Sequence, residues 1–417
     1  MNALTTLDPQ RRNSLLILFA AGLSFWSSMA SLLPTLPLYV KEIGGTEQQV
    51  GLVMGSFAIG LLLSRRWLGR LADRRSRKIV VLVGTGVVAI APLGYLLVTS
   101  IPFLMALRAF HGISIAAFTT GYTALVADLA PQKNRGELIG YMSLVTPIGV
   151  AIGPAMGGFL QAAFGFSALF QLASGLGVLS WLAAVQVWEP RLPKSDPEPE
   201  LANVEGGRSF WSLLLSPRLR VPAFVMLLVG LVFGTITTFV PLYIKSTSID
   251  LNPGWFYTAA AISSFTMRLV SGRASDRVGR GLFISTALLC YGISMIVLWH
   301  ASSPQAFLIA ALAEGAGAGI MIPTTIALMS DRSVAKERGR VFSLCIGGFD
   351  LGIAIAGPTL GSVAQYLGYA NLFGLAAGFV AIALSVFLTQ SSKDLPHSLR
   401  FAFGRERDIY AVENPNA

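Results

Sequence analysis

The sequence predicts an all-α membrane protein: twelve transmembrane helices in two pseudo-symmetric six-helix bundles. Three observations carry that expectation. The 417 residues are 53% hydrophobic and only 12% charged, about half the charge of an ordinary soluble domain. Apolar runs long enough to cross a bilayer recur along the whole chain. The basic residues sit in short clusters between those runs, a pattern of membrane topology rather than of nucleic-acid binding.

The runs fall at about 14–40, 48–68, 79–99, 101–126, 138–161, 166–188, 221–244, 254–272, 282–300, 304–328, 341–363 and 369–389. A helix of such length satisfies its own backbone hydrogen bonds, which lipid cannot do. The first run is too long for the core of a signal peptide, and no small-residue cleavage site follows it, so it counts as the first span. Of the 31 Lys and Arg, 25 lie on the side that would hold both termini. Lys41 and Lys245 lie on the other side, and Arg65, Arg66, Arg108 and Arg268 lie within spans. The positive-inside bias then places both termini in the cytoplasm.

Between the sixth and seventh spans, Pro190, Pro193, Pro197 and Pro199 alternate with Glu189, Asp196, Glu198, Glu200 and Glu205. That composition reads as a flexible linker. The expected organisation is an N-terminal bundle over 1–188, a linker over 189–220, a C-terminal bundle over 221–390 and a cytoplasmic tail over 391–417. Phe210 to Leu215, ahead of Arg218 and Arg220, fits either a short amphipathic surface helix or the ragged start of the seventh span.

The halves repeat at an offset of 203–204 residues. Pro37-Leu38-Tyr39-Val40-Lys41 returns as Pro241-Leu242-Tyr243-Ile244-Lys245, and Arg65 returns as Arg268. Gly69, Asp73, Arg74 and Arg77 return as Gly272, Asp276, Arg277 and Arg280. Asp128 and Arg135-Gly136 return as Asp331 and Arg338-Gly339, and Gly153-Pro154 as Gly357-Pro358. Several matches in one order at a near-constant offset mark an internal duplication. Each half has an even number of spans, so the two are parallel repeats about an axis along the membrane normal, enclosing a midplane cavity.

Charges at mid-bilayer are costly and mark functional candidates. Arg108 and His111 in the fourth span, Glu314 in the tenth and Asp350 in the eleventh all fall near the middle of their runs. The 203 offset maps His111 onto Glu314, which predicts that the two face each other across the pseudo-axis. Arg108 is a candidate partner for Glu314 or Asp350. An acid or histidine whose cation partner moves away during rocking can take up and release a proton. The aromatics Phe25, Trp26, Tyr122, Phe233 and Phe239, with Tyr39, Phe118 and Tyr243, are candidates for a greasy substrate cavity. Cys290 and Cys345 lie inside apolar runs, and no metal-ligand spacing exists.

Three segments resemble motifs of the major facilitator superfamily. Gly69-Arg70-Leu71-Ala72-Asp73-Arg74-Arg75-Ser76-Arg77-Lys78 is similar to its motif A, Arg108-Ala109-Phe110-His111-Gly112 to motif B, and Gly149 to Gly158 to motif C. The resemblance covers every span, and motif C is the mark of the drug–proton antiporter branch. It implies that Asp73, with Gly69, Arg74, Arg77, Asp276 and Arg277, forms a latch that holds the outward-open state. It implies that Arg108 takes part in proton coupling. It implies that Gly149, Gly153, Pro154, Gly157 and Gly158 pack rigidly between the fifth and eighth spans and close the extracellular side. Ser76 stands where the family has Gly, and His111 where it usually has Gln.

The expected function is proton-coupled efflux of a small amphipathic or drug-like compound by alternating access. The alternative is a specific carrier of a sugar, siderophore or organic acid, as exporter or proton symporter. Cavity Asn and Gln expected of a sugar carrier are scarce, and only Arg108 is deep enough for an anion site. A membrane enzyme is not expected, because no clustered His, Asp or Cys stands near an interface and no P-loop occurs. A lipid flippase is a further possibility for the same fold. The expected partners are a small-molecule substrate, protons and the bilayer, with no cofactor and no nucleic acid. The expected setting is the plasma (inner) membrane, as a monomer.

Overall fold

A computed structural model describes residues 7–131, 135–190, 210–333 and 337–412. Most of the expected linker, 191–209, lies outside the described residues. Among the described residues the fold is all-helical.

The first apolar run forms α1 (Pro9–Ser31) and α2 (Leu36–Glu42), separated at Pro34. There follow α3 (Glu47–Arg74), α4 (Arg77–Leu97), α5 (Ile101–Leu129), α6 (Arg135–Ser143) and α7 (Val145–Gln186). After the linker come α8 (Phe210–Leu214), α9 (Arg220–Ser246), α10 (Pro253–Val278), α11 (Arg280–Trp299), α12 (Pro304–Asp331), α13 (Arg338–Gln390) and α14 (Leu395–Ala402). Local chemistry sets the ends. Thr46 and Gln49 form a capping box at α3, and Ser303 caps α12 with Pro304 behind it, each satisfying donors that a helix start leaves open. The segment ahead of the seventh span is a separate five-residue helix, not the start of α9.

Nine helical segments of the described residues are long and apolar enough to cross a membrane. Two of them, 52 and 47 residues long, exceed the ~20 residues that a bilayer core requires. Each contains one glycine in a positive-φ conformation, Gly165 (φ 79°) and Gly368 (φ 74°), where an L side chain would be strained. The chain reverses at Gly165: Gly149 and Gly157 pack on Trp26 and Ser31 of α1, while Ser180 and Ser28 bind Ala21 and Ala173 carbonyls across the same helix at 2.7 and 2.6 Å. Helix α10 is 26 residues long but more polar, with Ser263, Ser264, Thr266 and Arg268 along it.

The repeat survives in three dimensions. Gly112 packs on the Phe57 carbonyl, as Gly315 does on that of Ala260. Tyr39 donates to the Val98 carbonyl at 3.3 Å and Tyr243 to that of Ala301 at 3.1 Å. Arg77 pairs with Asp128 at 2.8 Å and Arg280 with Asp331 at 3.2 Å. Within each half, α1 packs on α7, α3 on α5, α9 on α13 and α10 on α12. Between halves, α3 packs on α13 and α7 on α10.

On the side that holds the termini, the tail folds back over the second half. Arg332, 1% exposed, is gripped by Asp408 through Nε at 2.6 Å and Nη2 at 3.0 Å. It also donates to the carbonyls of Arg218 (2.8 Å) and Ser391 (3.1 Å). One guanidinium thereby ties the end of α12 to the tail, the approach to α9 and the end of α13. Removing one member of such a buried pair leaves the other charge uncompensated. Arg332→Ala is expected to destabilise the protein by about 3–5 kcal/mol, read as a lowered Tm in detergent, with Asp408→Asn falling less far.

Candidate functional site: an interface sealed at one end and buried charges

The halves meet most closely at the ends opposite the termini. A Cβ at Gly51 would strike the Gly357 carbonyl, and one at Gly55 would strike Ala354 and Pro358. Tyr369 donates to Glu47 at 2.6 Å across the same interface. At the other interface Asn252 donates to the Gly158 carbonyl at 2.9 Å and Thr258 to that of Ala151 at 3.3 Å. Phe159 meets Trp255 edge-on at 5.3 Å. Small residues make this approach possible, because two backbones touch only where no side chain intervenes. Toward the termini, Gly69, Gly136, Gly140, Gly272 and Gly347 stand against open space. A groove of about 870 Å³ opens there, lined by Leu62, Leu214, Leu215, Phe224, Leu227, Gly347, Leu351 and Gln390, with Arg220 at its edge.

Motif C divides its work. Gly149, Gly153 and Gly157 face α1, while Pro154 and Gly158 face Gly254 and Asn252 of α10. The expectation that all five pack between the fifth and eighth spans is therefore corrected: a 3.6-residue period cannot turn both stripes to one neighbour.

The motif A residues lie at the open end. Asp73, Arg74, Asp276 and Arg277 are exposed, and no ion pair joins Asp73 to another described residue. Arg77 pairs with Asp128, and Arg280 with Asp276 as well as Asp331; both networks stay inside one half. Ser76 is extended (φ −165°) and caps α4, accepting from the Ile79 amide. It also donates to Glu189 at 2.5 Å. The second copy turns instead at Gly279 with φ 116°. The serine serves as a cap where its counterpart serves as a left-handed turn.

His111 and Glu314 do not face each other. His111, fully buried, turns Nδ1 to the Tyr95 hydroxyl at 3.1 Å, while its Nε2 has no hydrogen-bond partner among the described residues. Arg108, 6% exposed, lies over the Phe57 ring at 4.3 Å, with Nε and Nη1 unbonded. Glu314, 5% exposed, stands beside Tyr257 and Tyr291 of its own half. Helix α5 packs on α3 and α4, and α12 on α10 and α11, so each side chain turns toward the polar partners inside its own bundle. Arg108 is likewise not the partner of Glu314 or Asp350. Asp350 pairs with Arg65, Nη1 to Oδ2 at 3.1 Å. Sequence reasoning had left Arg65 as an arginine within a span. Its membrane-depth position was a signal, but the cross-half partner was not legible from the offset.

The aromatic candidates separate into two groups. Trp26 and Tyr122, with Phe118, Val126, Met142 and Thr146, line a cavity of about 150 Å³. Phe25, stacked on Phe118 at 3.9 Å, and Phe239 are fully buried packing residues, which corrects their assignment to a cavity surface. Phe233 lies 5.6 Å from Phe349. Both cysteines are free. Among the described residues no group of three His, Cys, Asp or Glu could hold a metal.

The Major Facilitator Superfamily sequence profile matches residues 15–266 and 248–407. The chain belongs to that superfamily and is an integral, multi-pass membrane protein. Multidrug resistance protein MdtG of Klebsiella pneumoniae is 26% identical over 376 residues, covering 87% of this chain and 88% of that one. Multi-drug resistance efflux pump PmrA of Streptococcus pneumoniae is 27% identical over 368 residues, covering 86% and 90%. The fold matches the crystal structure of nucleoside transporter NupG with a TM-score of 0.79 at 14% identity, over 90% of this chain and 99% of that one. It also matches a bacterial homolog of the lysosomal transporter Spinster, solved inward-facing and unoccupied, with a TM-score of 0.69 at 15% identity, over 95% and 97%.

Tyr95→Phe removes the hydroxyl that partners His111 Nδ1 and leaves a buried polar group unmet. It is expected to cost about 1–3 kcal/mol of stability, read by thermal unfolding in detergent, while expression is retained.

Proposed function

We propose that this chain is a proton-coupled exporter of small amphipathic, drug-like compounds, working by alternating access between a half over 1–188 and a half over 221–390. The reversals at Gly165 and Gly368, together with α10, support a reading of twelve crossings. The Lys and Arg bias supports cytoplasmic termini in a plasma (inner) membrane. The groove at the terminal side is then the cytoplasmic opening, and the glycine contacts at the other end are the closed extracellular gate.

The single observation that carries the reading is the one-ended seal: backbone contacts join the halves opposite the termini, and a groove of about 870 Å³ opens toward the termini. That is the shape of an inward-open carrier. The named activities of MdtG and PmrA support efflux of drugs, and the apolar lining at Trp26, Phe118 and Tyr122 suits greasy substrates better than sugars. In this state the proposed motif A latch is disengaged, in keeping with an Asp73 that forms no ion pair with a described residue of the second half.

Glu314 supplies the proton site. It is a buried acid with no described cation beside it, so ionising it in place is costly and carrying a proton there is not. Arg108 and His111 form the corresponding polar cluster in the first half.

Two outcomes test the reading in everted membrane vesicles energised by respiration, with ethidium as the transported probe. Glu314→Gln is expected to abolish proton-driven accumulation while membrane abundance is retained; unchanged accumulation would refute the proton role. Asp73→Asn is expected to slow turnover several-fold with little change in the half-saturating dye concentration. A change in that concentration alone would contradict the latch.

A further inference from the structure

Arg65 and Asp350 form an ion pair across the two halves at membrane depth, joining α3 to α13. Its position is informative. The Gly51–Gly357 contact sets an antiparallel register between the two helices. Extended along them, that register puts Arg65 level with about residue 343. Asp350 is then seven residues, roughly 10 Å, nearer the sealed end. The Arg65 side chain must climb along the interface to reach it, past Gly347, which faces open space. The guanidinium occupies the apex of the wedge, and closing the wedge would take that space away.

The pair is also built to be made and broken. The Arg65 side chain is 33% exposed and that of Asp350 11%. Asp350 Oδ2 makes no aligned hydrogen bond despite the 3.1 Å approach. Among the described side chains no further cation holds the carboxylate. On α3, Arg66 is exposed, and on α5, Arg108 and His111 are turned to Phe57 and Tyr95. Arg220 and Lys245 are exposed at the two ends of α9. Arg280 on α11 is held by Asp276 and Asp331. On α12, Glu314 stands among tyrosines, and on α14, His397 is paired with Asp394.

We infer that Arg65–Asp350 is the proton-controlled catch of the α3–α13 interface: ionised Asp350 holds Arg65 while the terminal side is open, and a proton on Asp350 frees Arg65 and lets that side close. This rests on the transporter reading and assigns its switch. The chemistry balances without another reactant. A hydronium in the water-filled wedge gives its proton to Asp350 Oδ2, leaving water and a neutral acid. Arg65 keeps its charge and is rehydrated. In the reverse direction, the ion pair can form only with a carboxylate, so docking Arg65 on Asp350 expels the proton to the terminal side. Arg65 is thus a positioning residue whose movement is linked to proton release.

The test reads conformation without a substrate. Cys290 and Cys345 are replaced by Ser, and spin labels are placed at Thr99→Cys and Ser302→Cys, exposed repeat-related positions on the sealed side of the two halves. Distances are measured by pulsed EPR in nanodiscs from pH 9 to pH 5. The parent is expected to shift from short to long distances on acidification, with about a fivefold change in their ratio. Asp350→Asn and Arg65→Gln are expected to give the long distance at every pH. The exchange Arg65→Asp with Asp350→Arg is expected to restore the short distance at pH 9. A parent-like pH response in Asp350→Asn overturns the proposal, and so does a parent distance that ignores pH. Where Asp350→Asn does not fold, the pH profile of Arg65→Gln decides in the same way. Ethidium efflux with pH-blind distances sinks the catch alone, whereas a pH-linked shift without efflux sinks only the efflux reading.

Discussion

Everything in this molecule depends on how closely two backbones can approach where no side chain stands between them. Gly51 against Gly357 and Gly158 against Gly254 bring the halves into main-chain contact at one end. In a bilayer the hydrophobic effect gives little reason for helices to associate, so close van der Waals packing of small residues must hold them. A seal of this kind is rigid and dry. It forces the opening to the other end, where water can reach the charged residues that lipid would reject. The same grammar holds each bundle together, as at Gly112 on Phe57 and Gly315 on Ala260, so bundles can move as units while the seal is the part that must yield.

The charges sort by the solvent they meet. At the watery terminal end, Arg77–Asp128 and Arg280–Asp331 are ordinary, partly exposed pairs that fix loops within one half; each is worth about 1 kcal/mol or less. Arg332 is different, because it is buried and every donor group is used. At membrane depth, Arg108 and Glu314 have no ionic partner among the described residues. Their burial is not a stabilising feature, and a chain that retains them carries them for another purpose.

Much of the fold was legible in the sequence because period and length are enforced by lipid: apolar runs and basic clusters both follow from one solvent, although the break at Pro34 was not read from it. The repeat was legible as well, including Arg77, Asp128 and their copies Arg280 and Asp331, though not the ion pairs they form. The side-chain directions were not. His111 and Glu314 align at the 203 offset, yet a sequence offset fixes only height along equivalent helices. Rotation is decided by local partners, here Tyr95 for His111. Phe25 and Phe239 misled for the same reason, since an aromatic on a cavity helix is as free to fill the bundle as the pocket. Ser76 gave a clearer signal, because a serine before a helix is a cap.

The two duplicated interfaces differ in the charges they carry. The repeat supplies an arginine at both interfaces, Arg65 and Arg268, but an acid at one. The residue related to Asp350 by the offset of 204 that aligns Gly153 with Gly357 is Thr146. Arg268 Nε accordingly has no hydrogen-bond partner among the described residues, whereas Arg65 reaches across to the other half. Two such pairs, related by an axis along the membrane normal, would both stand on the terminal side and would bias the same form twice over. A single pair at one interface acts differently in the two forms, as any switch must. Its strength need not be large. A partly exposed pair worth about 1 kcal/mol changes the ratio of two states roughly fivefold, enough to bias a carrier without freezing it. A stronger, fully buried pair would hold one state too firmly for turnover, so partial exposure at the apex of the wedge is itself part of the design.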